Sequence, residues 1–166
     1  LQVLLPHKLS QTGPALTKAD VNGDGLEDVF VGGAKGQAGQ LLLGTTDGKL
    51  KAKNTNIFRT DKQYEDQGAY FFDVDNDGDQ DLYVVSGSYE FYESSELLQD
   101  RLYLNNGQGQ FSKSTLPLIE SSGSVVIPAD YDKDGDIDIF VGGRVIPGKY
   151  PHKPISYLLI NNQGKL

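Results

Sequence analysis

Apolar residues along this chain come in short runs set apart by turn-forming residues. One set is rich in β-branched and aromatic side chains: Val29-Phe30-Val31, Leu82-Tyr83-Val84-Val85 and Ile139-Phe140-Val141. Each run closes on glycine, at Gly32-Gly33, Gly87 and Gly142-Gly143. Runs of this length and composition, bounded by Gly, Asn and Asp, predict strands rather than helices. A second set, Leu42-Leu43, Tyr103-Leu104 and Leu159-Ile160, leads into turns of Gly, Asn and Asp. Each of those turns leads on to another apolar residue, at Leu50, Phe111 and Leu166, which is the pattern of a hairpin.

A single polar phrase precedes each run of the first set. It is D-x-[DN]-x-D-G-x-x-D, and its three copies span residues 20–28, 73–81 and 130–138. About five oxygen-bearing side chains crowd into nine residues and repel one another unless a cation sits among them. Hard oxygen donors in a flexible loop are the ligands that Ca²⁺ selects.

The copies are regularly spaced. Asp20 and Asp73 are 53 residues apart, and Asp73 and Asp130 are 57 apart. The hairpin phrase repeats in step, and a period just above 50 residues belongs to blade-like or solenoid arrays. Each unit reads as four strands. The first lies before the acidic loop (14–20, 67–73, 124–130) and the second follows it. The third ends at the Asn/Gly turn, and the fourth begins after that turn, as in Leu50–Lys53 or Phe111–Ser114. Four short antiparallel strands per repeat describe a propeller blade. The expected fold is therefore all-β: a β-propeller segment of three four-stranded antiparallel blades, the last incomplete. Blade one covers 14–60, blade two 67–118 and blade three 124–166. Residues 1–13 read as a strand of a preceding blade and a linker.

With these landmarks, and with Gly13-Pro14-Ala15-Leu16 before the first loop, the chain resembles the FG-GAP/VCBS repeat of integrin-α-type β-propellers. The resemblance is to the form found in bacterial surface proteins that also carry an ASPIC/UnbV module. It spans nearly the whole chain. It implies that loop positions 1, 3, 5 and 9 donate side-chain oxygens to calcium and position 7 a backbone carbonyl. The implied ligands of the first site are Asp20, Asn22, Asp24, Leu26 (carbonyl) and Asp28. Those of the second are Asp73, Asp75, Asp77, Asp79 (carbonyl) and Asp81, and those of the third Asp130, Asp132, Asp134, Asp136 (carbonyl) and Asp138. Three Ca²⁺ sites are expected, one per repeat. Asn22 removes one negative charge, so the first site is expected to be the weakest.

Two other readings of the loops are weaker. An EF-hand needs a bidentate Glu at position 12 and flanking helices. Position 12 here is Val31, Val84 or Val141, and the flanks are β-branched. Ordinary turns also favour Asp, Asn and Gly, but three copies in phase exceed what turn chemistry requires.

Charge follows the loops. They hold 14 of the 23 acids and one base, Lys133, for a charge of −13; the remainder carries +5, giving −8 in total. Three bound Ca²⁺ would bring the chain to −2. The acidity belongs to the loops and argues against nucleic acid, which needs a basic footprint. No apolar run approaches the ~18 residues of a membrane-spanning helix.

The chain has no Cys, so disulfide and redox chemistry do not enter. Calcium sites of extracellular modules work near millimolar Ca²⁺, so the expected setting is secreted or cell-surface, and the resemblance implies the outside of a bacterium. The first residues lack the charged start of a signal peptide, and the chain has no Met. It reads as an internal piece of a longer protein or a processed product. Further blades of a parent chain, or self-association, are the expected structural partners.

Strands in a blade alternate in direction, so the connections between second and third strands open opposite the acidic loops. Two of them are long and aromatic. They supply Tyr89, Phe91, Tyr92, Arg144, Tyr150 and His152 as a candidate ligand face for protein or carbohydrate. The alternative is that these loops pack on their own aromatics. Within the first of them, 93–99 suits a helical turn capped by Ser94 or Ser95. Catalysis has little to draw on. There are two His, no Cys and no G-x-S-x-G, and the paired carboxylates are committed to the loops. His7 and His152 read as surface residues. The expected function is a non-enzymatic, calcium-binding, extracellular binding or adhesion scaffold. Part of a calcium-bearing propeller-type polysaccharide lyase and a purely structural spacer are the alternatives.

Overall fold

The computed structural model of the chain describes residues 14–166. The strand expected within 1–13 lies outside the described residues. Among these, eleven strands form three antiparallel sheets. The first contains β1 (Leu16–Ala19), β2 (Asp28–Val31), β3 (Gln40–Gly44) and β4 (Leu50–Lys53), in that order. The second repeats it with β5 (Asp66–Phe72), β6 (Asp81–Ser86), β7 (Arg101–Leu104) and β8 (Ser112–Ser114). The third has three strands, β9 (Ser122–Ala129), β10 (Asp138–Val145) and β11 (Tyr157–Leu159). Two four-stranded blades and one three-stranded blade are the architecture that the repeats predict. In each blade the acidic loop joins the first strand to the second.

Alternation of side chains across the pleat builds the core in two layers. β6 is buried along its whole length because it faces both ways. Leu82 and Val84 point back to the first blade and pack with Val21, Phe30 and Leu41. Tyr83 and Val85 point forward and pack with Ile139, Val141 and Leu159 of the third blade. One strand of alternating side chains thus links two cores. β1 lies against β5, and β5 against β9, so the first strand of each sheet is the innermost, as in blades around an axis.

One element is absent from the sequence reading. A short helix, α1 (Asn56–Thr60), follows β4 and buries Phe58. The Phe58 ring meets Phe30 and Tyr103 edge-on, with centroids 5.1 and 5.2 Å apart. It fills the seam between blades one and two, where edge-to-face pairs add to area burial. The capped turn expected within 93–99 is a single 3₁₀ turn, Glu96–Leu98. The Ser95 hydroxyl accepts the Leu97 N–H there at 3.3 Å.

Candidate metal centres

All three loops fold by the same hydrogen bonds, set by their acidic positions. The carboxylate at position 1 curls over the loop and accepts the N–H of the position-6 glycine. These bonds run from Gly25 to Asp20 at 2.7 Å, from Gly78 to Asp73 at 2.8 Å and from Gly135 to Asp130 at 3.2 Å. The position-5 carboxylate accepts the N–H of position 7: Leu26 to Asp24, Asp79 to Asp77 and Asp136 to Asp134, all at 2.9 Å. Gly25, Gly78 and Gly135 hold φ of 82°, 91° and 99°. A β-carbon at any of the three would meet open space, so glycine is required by backbone conformation and not by crowding.

Position 9 is the buried end of each loop. Asp28, Asp81 and Asp138 are almost fully enclosed. One oxygen of each accepts the N–H of loop position 2 (Val21, Val74 and Tyr131) at 3.0, 3.0 and 2.8 Å. The other accepts an N–H at the end of the third strand (Gly44, Asn105 and Asn161), each at 2.8 Å. This aspartate therefore ties the loop to the hairpin turn of its own blade. Each carboxylate oxygen keeps a further lone pair for a cation.

The carboxylates converge in two loops. One oxygen each from Asp73, Asp75 and Asp81 lies within 4.8 Å of the others, and Asp130, Asp132 and Asp138 repeat the arrangement. These are positions 1, 3 and 9 of the expected set; the position-5 carboxylates of Asp77 and Asp134 are not in the triads. In the first loop position 3 is Asn22, whose amide donates to Asp24 at 3.0 Å. Two triads of hard oxygen donors suit a divalent ion such as Ca²⁺.

The electrostatics agree. Burial, and then the charges of Asp77 and Asp73, push the Asp75 carboxyl above its ordinary value. Burial raises Asp81 to about 6, against the two N–H bonds it accepts and with help from Asp75 and Asp77. Burial and the neighbouring charges raise Asp79 and Asp132 as well. Slight burial pushes Asp20 up, but four backbone N–H groups outweigh it and hold this carboxyl below its ordinary range. A cation placed among the raised groups would reverse their shifts, because an opposite charge favours the ionised form.

The loops also bind the blades to one another. Asn105 donates its amide to the Val21 carbonyl of blade one at 2.8 Å, and Asn161 does the same to Val74 of blade two at 2.7 Å. The Asn76 amide reaches Asp136 in the next loop at 2.7 Å. The asparagines were legible as turn residues, but not as clamps between blades.

The connections at the other end of the sheets touch in sequence. The Lys35 ammonium lies 5.1 Å from the centre of the Phe91 ring, and Lys149 pairs with Glu93. Phe91 is buried, with Lys35 of blade one against its ring, which corrects its expected place on an exposed ligand face. Tyr92 is 89% exposed, Tyr150 and His152 are exposed, and Tyr89 and Arg144 are half-buried. At the same end of blade one lies a pocket of about 820 Å³, lined by Gly33, Gln37, Gln40, Asn54, Arg59 and Glu65 among others.

Beneath that end is a charged network with no local signal in the sequence. Arg101 is buried and pairs with Asp66, also buried. The second Asp66 oxygen accepts the Gly33 N–H at 2.7 Å. The Tyr64 ring covers the guanidinium at 4.3 Å. Tyr103 donates to Asp61 at 2.7 Å. Asp66 thereby joins the end of β2 to β7 across the first seam.

Compared with known families, the chain matches the FG-GAP-like repeat over residues 20–84 and 87–141. It belongs to this family. The matched stretches contain all three acidic loops, and the second match ends on Val141 in β10. No curated protein matches the chain. The FG-GAP-like assignment accords with three sheets, each carrying an acidic loop between its first and second strands.

Proposed function

We propose that this chain is a calcium-binding FG-GAP module that serves as an extracellular or cell-surface binding scaffold, for glycan or protein ligands, without catalysis of its own. The observation that carries the reading is the division of labour between the two ends of the blades. At one end, fourteen acids gather in three loops of one geometry, two of them with converged carboxylate triads. At the other end, connections of neighbouring blades touch, and a pocket with several polar groups opens on blade one.

Calcium supports the binding end indirectly. Asp81 and Asp138 each tie a loop to its hairpin turn, and Asn105 and Asn161 tie those turns to the preceding blade. An ion that neutralises the loop stiffens this chain of bonds. Asp77 and Asp134 would complete the shell with the triads, and the position-7 carbonyls of Asp79 and Asp136 would add backbone oxygen. The first loop would use Asp20, Asn22, Asp24, Asp28 and the Leu26 carbonyl. Three sites at the weak affinities of extracellular modules fit a setting with millimolar Ca²⁺.

The pocket offers the amides of Gln37, Gln40 and Asn54 and the Arg59 guanidinium, groups suited to hydroxyl-rich ligands, and Tyr92 stands exposed on the β6–β7 connection. The test is binding to an array of glycans with Ca²⁺ present, for the wild type and for Arg59→Ala and Tyr92→Ala. The reading expects binding to at least one glycan class that weakens in either variant while thermal stability is unchanged. Binding indifferent to both substitutions would place the ligand face elsewhere.

A further inference from the structure

Among the described residues, loops two and three are joined by a side-chain contact that has no counterpart between loops one and two. Position 4 of every loop holds a positive φ: 71° at Gly23, 60° at Asn76 and 65° at Lys133. Glycine takes that conformation freely, and asparagine is among the few other residues that visit it routinely. In loop two the asparagine at this position crosses the seam, and the Asn76 amide donates to Asp136 Oδ1 of loop three at 2.7 Å. Gly23 has no side chain with which to reach loop two. The equivalent of Asp136 there is Asp79, whose carboxylate lies against its own hairpin turn. A β-carbon on Gly107 of that turn would fall 2.6 Å from an Asp79 oxygen.

Asp136 matters through its backbone. It stands at position 7, whose carbonyl is the expected backbone ligand. Its N–H donates to Asp134 at 2.9 Å, and its second carboxylate oxygen accepts the Gln163 N–H at 2.7 Å. Asn76 supplies a further tie, and it comes from another loop. Asn76 itself stands between Asp75, a member of the loop-two triad, and Asp77, whose N–H donates to Asp73 at 3.1 Å. Whatever fixes loop two therefore fixes the donor, and the donor helps to fix Asp136.

We propose that Asn76 is a positioning residue for the third candidate metal centre, so that an ion held in loop two raises the affinity of loop three for its own. The inference rests on the calcium reading above. Ordering one loop leaves less conformational freedom for the second ion to remove, which couples the two positively without a change of fold. Such coupling is reciprocal, so an ion in loop three strengthens loop two by the same factor. The Asn76–Asp136 bond is exposed to water, so the factor expected is about fivefold, the low end of the usual range. The amide clamps of Asn105 and Asn161 serve both seams, and Asn76 is what the second seam has in addition. Loop one is therefore less coupled to loop two than loop three is.

Two-dimensional NMR of the whole chain during stepwise addition of Ca²⁺ tests this. The backbone amides of Gly25, Gly78 and Gly135 each donate to the position-1 aspartate of their own loop, so each reports on one loop. Asp75→Ala, which disables loop two, is expected to raise the Ca²⁺ concentration at the Gly135 midpoint about fivefold and to move the Gly25 midpoint less. Asn76→Gly keeps the loop backbone, since glycine suits the φ of 60° held there. With Asn76→Gly in place, adding Asp75→Ala is expected to leave the Gly135 midpoint where it was. A Gly135 midpoint that ignores Asp75→Ala while Asn76 is present, or that follows it equally in the Asn76→Gly background, would overturn the proposal and leave the calcium reading standing. No response to Ca²⁺ at any of the three glycines would overturn both.

Discussion

Asn161 donates its side-chain amide to the carbonyl of Val74, 87 residues earlier and one blade back, over 2.7 Å. Asn105 holds Val21 in the same way. Both asparagines are buried, and both sit at the end of a third strand whose own N–H is held by the position-9 aspartate. The acid loop of one blade is thereby connected to its hairpin turn and then to the loop of the blade before. Replacing Asn105 by Ala leaves the Val21 carbonyl without its partner, a loss of about 1–3 kcal/mol for a buried group. Denaturant unfolding is expected to show a lower midpoint with an unchanged slope.

The Arg101–Asp66 pair is a second tie across the same seam. Arg101→Met removes the cation and leaves Asp66 buried, its other oxygen held by Gly33. Removing one partner of a buried pair typically costs about 3–5 kcal/mol. The double variant Arg101→Met/Asp66→Asn is expected to recover part of that loss, since it removes the stranded charge. A double variant as unstable as the sum of the single ones would show that the two residues act independently.

Stability is also expected to fall with pH between about 4 and 7, through Asp100. Burial raises this carboxyl to about 7, against the Ser86 N–H, the Tyr83 hydroxyl and the Arg101 charge that favour its ionised form. In that interval the folded chain holds a proton that the unfolded chain has released. Unfolding therefore becomes easier as pH rises, and levels off above the folded value. One such group gives a slope of at most about 1.4 kcal/mol per pH unit. Melting curves at pH 5 and pH 8, with Ca²⁺ saturating so that the loops do not titrate, are expected to differ less in Asp100→Asn than in the wild type.

The position-6 glycines give a local test of loop conformation. Gly78→Ala meets no atom but forces alanine to φ near 91°. That conformation costs an L-residue roughly 1–2 kcal/mol. The variant is expected to melt lower and to bind one ion more weakly. Equal stability and equal affinity would mean that the loop relaxes to another backbone conformation.

Much of this was legible in the sequence because the chain states it three times. Phase, strand order, the loop's place between first and second strands, and the left-handed glycines all follow from short-range patterns that repeat. The triads followed in part: Asp73, Asp75 and Asp81 converge as expected, whereas Asp77 spends one oxygen on the Asp79 N–H. What escaped depends on partners far away in the chain. Arg101 and Asp66 are 35 residues apart and follow no periodicity. α1 is five residues long, without a side-chain cap, and is fixed by Phe58 entering the seam. Phe91 looked like its exposed neighbour Tyr92, but it is buried and lies beside Lys35 of another blade.

Calcium in the acidic loops, as proposed, would make the fold depend on the ion. A ligand that binds the folded state alone raises stability by mass action. The decisive measurement is the melting temperature of the chain in excess chelator, then with Ca²⁺, then with Mg²⁺ at the same concentration, alongside metal analysis of the dialysed protein. The expected result is a lower melting temperature in chelator and recovery with Ca²⁺ that exceeds recovery with Mg²⁺, whose tight octahedral shell suits these loops less. Asp75→Ala and Asp132→Ala are each expected to lose one bound ion. A melting temperature the same in all three solutions, with no calcium retained, would contradict the calcium reading.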